Sequence, residues 1–289
     1  MQLSDLIFLG ILCCSVVAAL LFHHVFRVIQ RRRIRRKIAI LEGNISKKET
    51  EILLLKTELQ ASLGRWNAAF GRFCSVDVET TGIKRASSKI IQIGLCLFDG
   101  GEINGKRIWW IDPGVRIPPS ATKVNNIKDS DVRGKGSFSQ HSENIKRLLT
   151  RYPLVGHNLY FDISMIISEF KRIGQHIEVR PLYCTMRDVW YDEAIEPPAP
   201  RDQPRQREMP RWQKLGHLAE SLGVLPHGPL HDAFVDARLA GECFIARARQ
   251  EVGRSEAALQ RAEAELVRLR AELDAARAEL NTRRRKVWS

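Results

Sequence analysis

The 289-residue sequence predicts an α/β domain with a mixed central sheet flanked by helices, carried between two helical segments. Three observations predict it. Between residues 73 and 246, apolar runs of strand length alternate with stretches of helical periodicity. Ahead of them, an uncharged apolar stretch is followed by a basic cluster and by apolar residues three and four apart. After Gly253, leucines recur every seven residues among Ala, Glu and Arg. With 44% hydrophobic and 27% charged residues, the chain can bury a core, which excludes global disorder, and its length excludes a disulfide miniprotein.

The first element is an expected membrane anchor over residues 1–30, with a basic flank to 37. Leu6 to Phe22 holds no charge, and Leu6–Phe26 is long enough to cross a hydrocarbon layer of ~30 Å as a helix. The only earlier charge is Asp5, which argues against a cleaved signal peptide. Arg27, Arg31, Arg32, Arg33, Arg35, Arg36 and Lys37 follow the apolar run, so the positive-inside rule sets everything after Arg27 in the cytoplasm. A buried apolar helix is the alternative. A helical connector over 34–64 comes next, with Ile34, Ile38, Leu41, Ile45, Ile52, Leu55 and Leu59 in a three-four spacing and Lys48 and Ser62 as defects. Gly43-Asn44 is expected to interrupt it, with Ser46 and Glu49 capping a fresh helix. It is either a coiled coil or an amphipathic helix packed on its own domain.

Strands are expected at Phe73–Val78, Ile90–Phe98, Ile108–Ile111 and Leu154–Val155. Helices are expected at Ser142–Arg151, Ile163–Ile173, Gln213–Leu222 and Ala233–Ala246. The span 196–211 is rich in Pro and Arg and reads as an exposed loop. Leu259, Leu266, Leu273 and Leu280, with Ala262, Leu269 and Ala276 between them, predict a coiled coil over 254–286 that would admit a homo-oligomer or a protein partner.

The net charge of +13 suggests nucleic acid or an anionic membrane as partner. Residues 1–75 carry +7, 76–246 carry +2 and 247–289 carry +4, so the excess belongs to the flanking segments and argues for the membrane. The cysteines at 13, 14, 74, 96, 184 and 243 form no metal-binding spacing and read as single thiols in a reducing compartment.

Four carboxylates and one histidine stand out. Asp77 and Glu79 lie two apart at the end of the first apolar strand, so both face one side, and such a pair is costly without a cation between them. Asp162 opens a helix just after Val155-Gly156-His157-Asn158; alone, it reads as a helix N-terminal charge. His231 precedes the last domain helix, and Asp236 sits in its first turns.

Together these segments resemble the three motifs of the DEDDh superfamily of 3′–5′ exonucleases, and most closely the pattern of the proofreading epsilon subunits of bacterial DNA polymerase III. The resemblance covers about residues 72–247, including Ile90-Ile91-Gln92-Ile93-Gly94, the stretch from Asp112-Pro113-Gly114 to Ile117-Pro118-Pro119, and Leu215 to Gly223. It implies an RNase H-like fold and a hydrolase that releases 5′-mononucleotides from single-stranded nucleic acid. It further implies two Mg²⁺ or Mn²⁺ ions held by Asp77, Glu79, Asp162 and Asp236, with His231 as general base. By the same resemblance Thr80, Thr81 and Gly82 would meet the terminal nucleotide, and Asn158 and Phe161 would line the path of the strand. Asn125-Asn126-Ile127 departs from the His-Gly-Ile of many relatives, which puts nucleotide preference in question. The epsilon pattern favours DNA. The alternatives are RNA 3′-end trimming, or a membrane scaffold that uses the nuclease fold for binding.

Overall fold

The computed structural model describes the backbone of residues 3–191 and 213–285, and the side chains of 17–191 and 213–284. The Pro/Arg loop at 196–211 lies outside them. The chain divides into two compact units, residues 62–252 and a helical unit of residues 1–61 with 253–289.

The elements, in order, are α1 (Leu3–Phe70), β1 (Phe73–Thr80), β2 (Ile90–Asp99), β3 (Glu102–Trp110), α2 (Pro119–Asn125), α3 (Asp129–Val132), α4 (Phe138–Leu149), β4 (Leu154–Gly156), α5 (Leu159–Arg172), β5 (Pro181–Cys184), β6 (Val189–Trp190), α6 (Leu215–Leu222) and α7 (Ala233–Arg285). The sheet is mixed, with strand order β3-β2-β1-β4-β5-β6. β1 pairs antiparallel with β2 and parallel with β4. β1 is central and covered on both faces, so its apolar residues read as a near-continuous run. On one face, Val76, Ile93, Leu95, Ile145, Leu149, Ile163, Ile166 and Phe170 are buried together. Elsewhere Trp66, Phe73, Tyr183, Trp190 and Phe244 form an aromatic cluster, with Trp66 edge-on to Tyr183 and Trp190 at centroid distances of 5.7 and 5.1 Å.

In the helical unit, the N-terminal part of α1 and the C-terminal part of α7 pack antiparallel. Leu41, Leu269, Leu273 and Ala276 are buried against one another, with Ile38 and Ile45 beside them. The direction follows from the cross-pairs: Lys48–Glu265 (2.7 Å), Lys56–Glu263 (3.3 Å), Arg270–Glu49 (2.7 Å) and Arg277–Glu42 (2.9 Å). The heptads of α7 therefore meet the chain's own N-terminal helix. The expected interruption at Gly43-Asn44 is absent, because α1 runs unbroken through it. Both residues are exposed, and burial of Leu41 and Ile45 on either side outweighs their poor helix propensity. Likewise α7 continues through Gly253.

Among the described residues, no helix is long and apolar enough to cross a membrane. The side chains of the first half of the expected span Leu6–Phe26, up to Val16, lie outside the described residues.

Candidate active site

Three elements carry the five residues to one cavity. β1 supplies Asp77 and Glu79. Its partner β4 ends at Gly156, so the Val78 N–H that faces that side has no strand to pair with and donates instead to Asp162 Oδ1 at 3.0 Å. Asp162 reaches that point because α5 starts abruptly: Asn158 takes the left-handed conformation (φ 66°), which Asn tolerates better than most residues, and Phe161 N donates to Asn158 O. Asp162 is 2% exposed.

The third element is the start of α7. Asp232 caps it, accepting from the N–H groups of Phe234 (3.0 Å) and Val235 (3.1 Å). Buried Gln92 on β2 pins the cap from below: its Nε2 donates to Asp232 Oδ2 (3.3 Å), and its Oε1 accepts from Ala233 N (2.9 Å). Gly94, two residues on, lets the helix approach, since a Cβ there would lie 2.2 Å from the Ala233 carbonyl carbon. The same glycine is paired with Asp77 across β1 and β2. His231, just before the cap, has φ of +68°, and its backbone N–H donates to Asp236 Oδ2 at 3.1 Å.

The result is a cavity of about 460 Å³ lined by Asp77, Glu79, Asp162, Asp236 and His231, with Asn158 and Phe161 beside them. Donor atoms of Glu79, His231 and Asp236 all lie within 4.8 Å of one another. Burial pushes all four carboxyls upward. Asp77 is raised further by Asp162 and Glu79, and Asp162 by Glu79 and Asp236. Burial takes Glu79 to about 8, against a hydrogen bond from Asn125 that favours its charged form. Burial raises Asp236, opposed by the His231 N–H.

These residues fit a divalent cation. Four carboxyls that repel one another are what a hard cation reverses. Oδ1 of Asp236 is buried with no hydrogen-bond partner among the described residues, an acceptor that a cation would use.

Thr80, Thr81 and Gly82 are arranged differently from the other expected residues. They do not line this cavity: Thr80 Oγ1 donates to Gly82 O (2.7 Å), and Thr81 Oγ1 accepts from Lys89 N (2.9 Å), which fixes the turn after β1. Sequence reasoning missed the anchors Gln92 and Asp232, and the lining residues His157, Met186, Lys214 and Leu230. Glycine inside a strand pattern at Gly94 and Asp directly before a helical run at Asp232 were the available signals. Asn125, noted as a departure, is buried, bonds Glu79, and directs Nδ2 at Thr80 O (3.4 Å).

The Exonuclease family (RNase_T) matches residues 75–244, more than half of the chain. This chain belongs to that family. It is a 3′–5′ exonuclease of the DEDDh superfamily. The exonuclease is 31% identical over 173 residues to DNA polymerase III subunit epsilon of Treponema pallidum, covering 60% of this chain and 74% of the relative. It is also 31% identical over 175 residues to the 3′-5′ exonuclease DinG of Bacillus subtilis, but covers only 17% of it. Among solved structures, it is similar to E. coli exonuclease I in complex with a dT13 oligonucleotide, at 17% identity and TM-score 0.49, covering 64% of this chain and 42% of that one.

Proposed function

We propose that the exonuclease removes 5′-mononucleotides from single-stranded 3′ ends, DNA in preference to RNA, while its N-terminal segment holds it at the cytoplasmic face of a membrane. The observation that supports the chemistry is the convergence of Asp77, Glu79, Asp162, Asp236 and His231 on one cavity. The four carboxylates would hold two Mg²⁺ or Mn²⁺ ions, which supply the positive charge that an in-line displacement at phosphorus requires. His231 is exposed at the cavity, where its ring can accept the proton of the attacking water as general base. Phe161 offers a ring face for a base to stack on, and Asn158 offers an amide to the strand. The turn Thr80–Gly82 would meet the terminal nucleotide through its backbone. The DNA preference is supported by the similarity to the epsilon pattern. Membrane tethering is supported by the uncharged stretch Leu6–Phe22 and the basic residues after it.

The test is digestion of matched 3′- and 5′-labelled DNA and RNA oligonucleotides with Mg²⁺ or Mn²⁺ by wild type, Asp77→Ala and His231→Ala. Stepwise shortening from the 3′ end by wild type, lost in both variants, is the expected result. Absence of cation-dependent shortening refutes the reading, and faster digestion of RNA replaces DNA with RNA as substrate.

A further inference from the structure

Antiparallel pairing brings together two basic clusters from opposite ends of the sequence. Arg31 and Arg283, 252 positions apart, touch: Arg31 Nη2 donates to Arg283 O at 2.7 Å. Beside them is a cavity of about 490 Å³ lined by His23, Phe26, Arg27, Thr282 and Arg283, among others. Arg32, Arg33, Arg35, Arg36 and Lys37 on α1 and Arg284 on α7 are exposed. None of these six makes an ion pair among the described residues; Arg283 pairs with Glu279 of its own helix.

The rest of the helix pair is different. Farther along, Glu42, Lys48, Glu49 and Lys56 of α1 are each neutralised by an opposite charge on α7. Unpaired cations are therefore concentrated at one end. Next to that end along α1 come exposed apolar side chains, Leu20 (65% exposed), Leu21 (60%), Phe22 (76%) and Val25 (52%). Cations bordering an exposed apolar stretch match the boundary between anionic headgroups and acyl chains. A nucleic-acid backbone would use the cations and leave the apolar residues in water.

We propose that this end of the helix pair is a collar for anionic phospholipid headgroups, with the C-terminal arginines of α7 completing a site begun by α1. The collar rests on the tethering reading for the presence of a bilayer. It adds that α7 contributes to lipid recognition although α7 lies at the opposite end of the sequence from the anchor.

The experiment is co-flotation of the full chain with neutral phosphatidylcholine vesicles and with vesicles rich in phosphatidylserine, across a lipid titration. Half-saturation is expected at about tenfold less lipid when phosphatidylserine is present, and high salt is expected to remove the difference. Arg283→Gln with Arg284→Gln is expected to cut that gain to about threefold with oligonucleotide digestion unchanged, since the α1 cations remain, and Arg283→Lys with Arg284→Lys to keep it. Equal half-saturation on both vesicles, or a Gln variant that binds like wild type, overturns the collar. So does a Gln variant that loses only oligonucleotide binding, which would mark a nucleic-acid surface. Flotation on anionic vesicles alone would refute the tether and leave the collar standing.

Discussion

Gly94 lies directly beneath Ala233, so close that a Cβ on it would fall 2.2 Å from the Ala233 carbonyl carbon and 2.3 Å from Phe234 N. The contact is with backbone, which cannot rotate away as a side chain would. This approach sets the height of α7 above the sheet and thereby of Asp236 and His231 relative to Asp77 and Glu79. Gly94→Ala is expected to lift the helix start, cost at least about 2 kcal/mol of stability and lower kcat about 100-fold through misplacement of the carboxylates. Urea unfolding and single-turnover digestion measure the two effects. A variant with wild-type kcat would show that the approach does not govern the site.

Gln92 acts on the same joint from the side. Gln92→Leu keeps the volume but leaves Ala233 N–H and one oxygen of Asp232 without their partner. Each buried group so stranded costs about 1–3 kcal/mol. The expected outcome is a lower melting temperature and at least a tenfold loss of kcat with little change in KM, since the residue touches no substrate. Gln92→Glu is expected to restore acceptance from Ala233 N but to repel Asp232, giving only partial rescue.

The elements that present the carboxylates were legible because each carboxylate is embedded in an apolar run: Val76 and Val78 around Asp77, Ile163 after Asp162, Phe234 and Val235 before Asp236. Their convergence was legible only through the three motifs read together. Gln92 was not legible as a site residue, because its partner is 140 positions away and nothing in a local pattern points to it; Asn125 was legible as a departure from the family pattern, but not as the hydrogen-bond partner of Glu79. The antiparallel helix pair was half legible. The seven-residue spacing marks the seam, and the alternation of burial through Ala262, Leu269, Leu273 and Ala276 follows it, but spacing alone does not say whose helix fills it.

The carboxyl cluster makes apo stability fall with rising pH. Glu79 is held at about 8 in the fold against 4.5 when free, so its contribution is fully present below 4.5 and is lost as pH rises through 8. Asp77, Asp162 and Asp236 shift in the same direction and add to the slope. A bound cation needs the charged carboxylates and relieves their repulsion. Chelator-treated protein is therefore expected to melt at lower temperature near pH 8 than near pH 6. Added Mn²⁺ is expected to raise the melting temperature more at the higher pH, and to release protons in weakly buffered titration. A Mn²⁺-induced shift that does not depend on pH would refute this account.

His157 gives a slope of the opposite sign. Burial holds its imidazole down to about 4, against 6.5 when free, and its Nδ1 lies 3.0 Å from Thr185 Oγ1. The unfolded chain takes up this proton below 6.5 and the folded chain does not until about 4. Stability from this group is thus present above 6.5 and lost as pH falls through that window. With Mn²⁺ present to hold the carboxylates charged, the difference in unfolding free energy between wild type and His157→Gln is expected to shrink by about 2 kcal/mol from neutral pH to pH 5. A difference that stays constant would mean the ring is not kept neutral by burial.

Lys48 occupies a seam position of α1, between Ile45 and Ile52, where an apolar residue would be the default. Its ammonium reaches Glu265 of α7 and Glu51 of its own helix, each at 2.7 Å, and both partners raise its pKa. At the edge of a seam such a pair adds little stability, because water competes for both charges, but it fixes which turn of α7 faces which turn of α1. Lys48→Leu is therefore expected to raise the thermal stability of the helix pair while loosening its register. Cysteines placed at Glu42 and Arg277, opposite each other in the present register, measure the second effect. Disulfide formation between them is expected to be fastest with Lys48 retained and slower in Lys48→Ala, which removes the charge pair. It is expected to be slowest in Lys48→Leu, where an added apolar side chain lets neighbouring registers compete. Equal rates in all three would assign the register to the apolar seam alone.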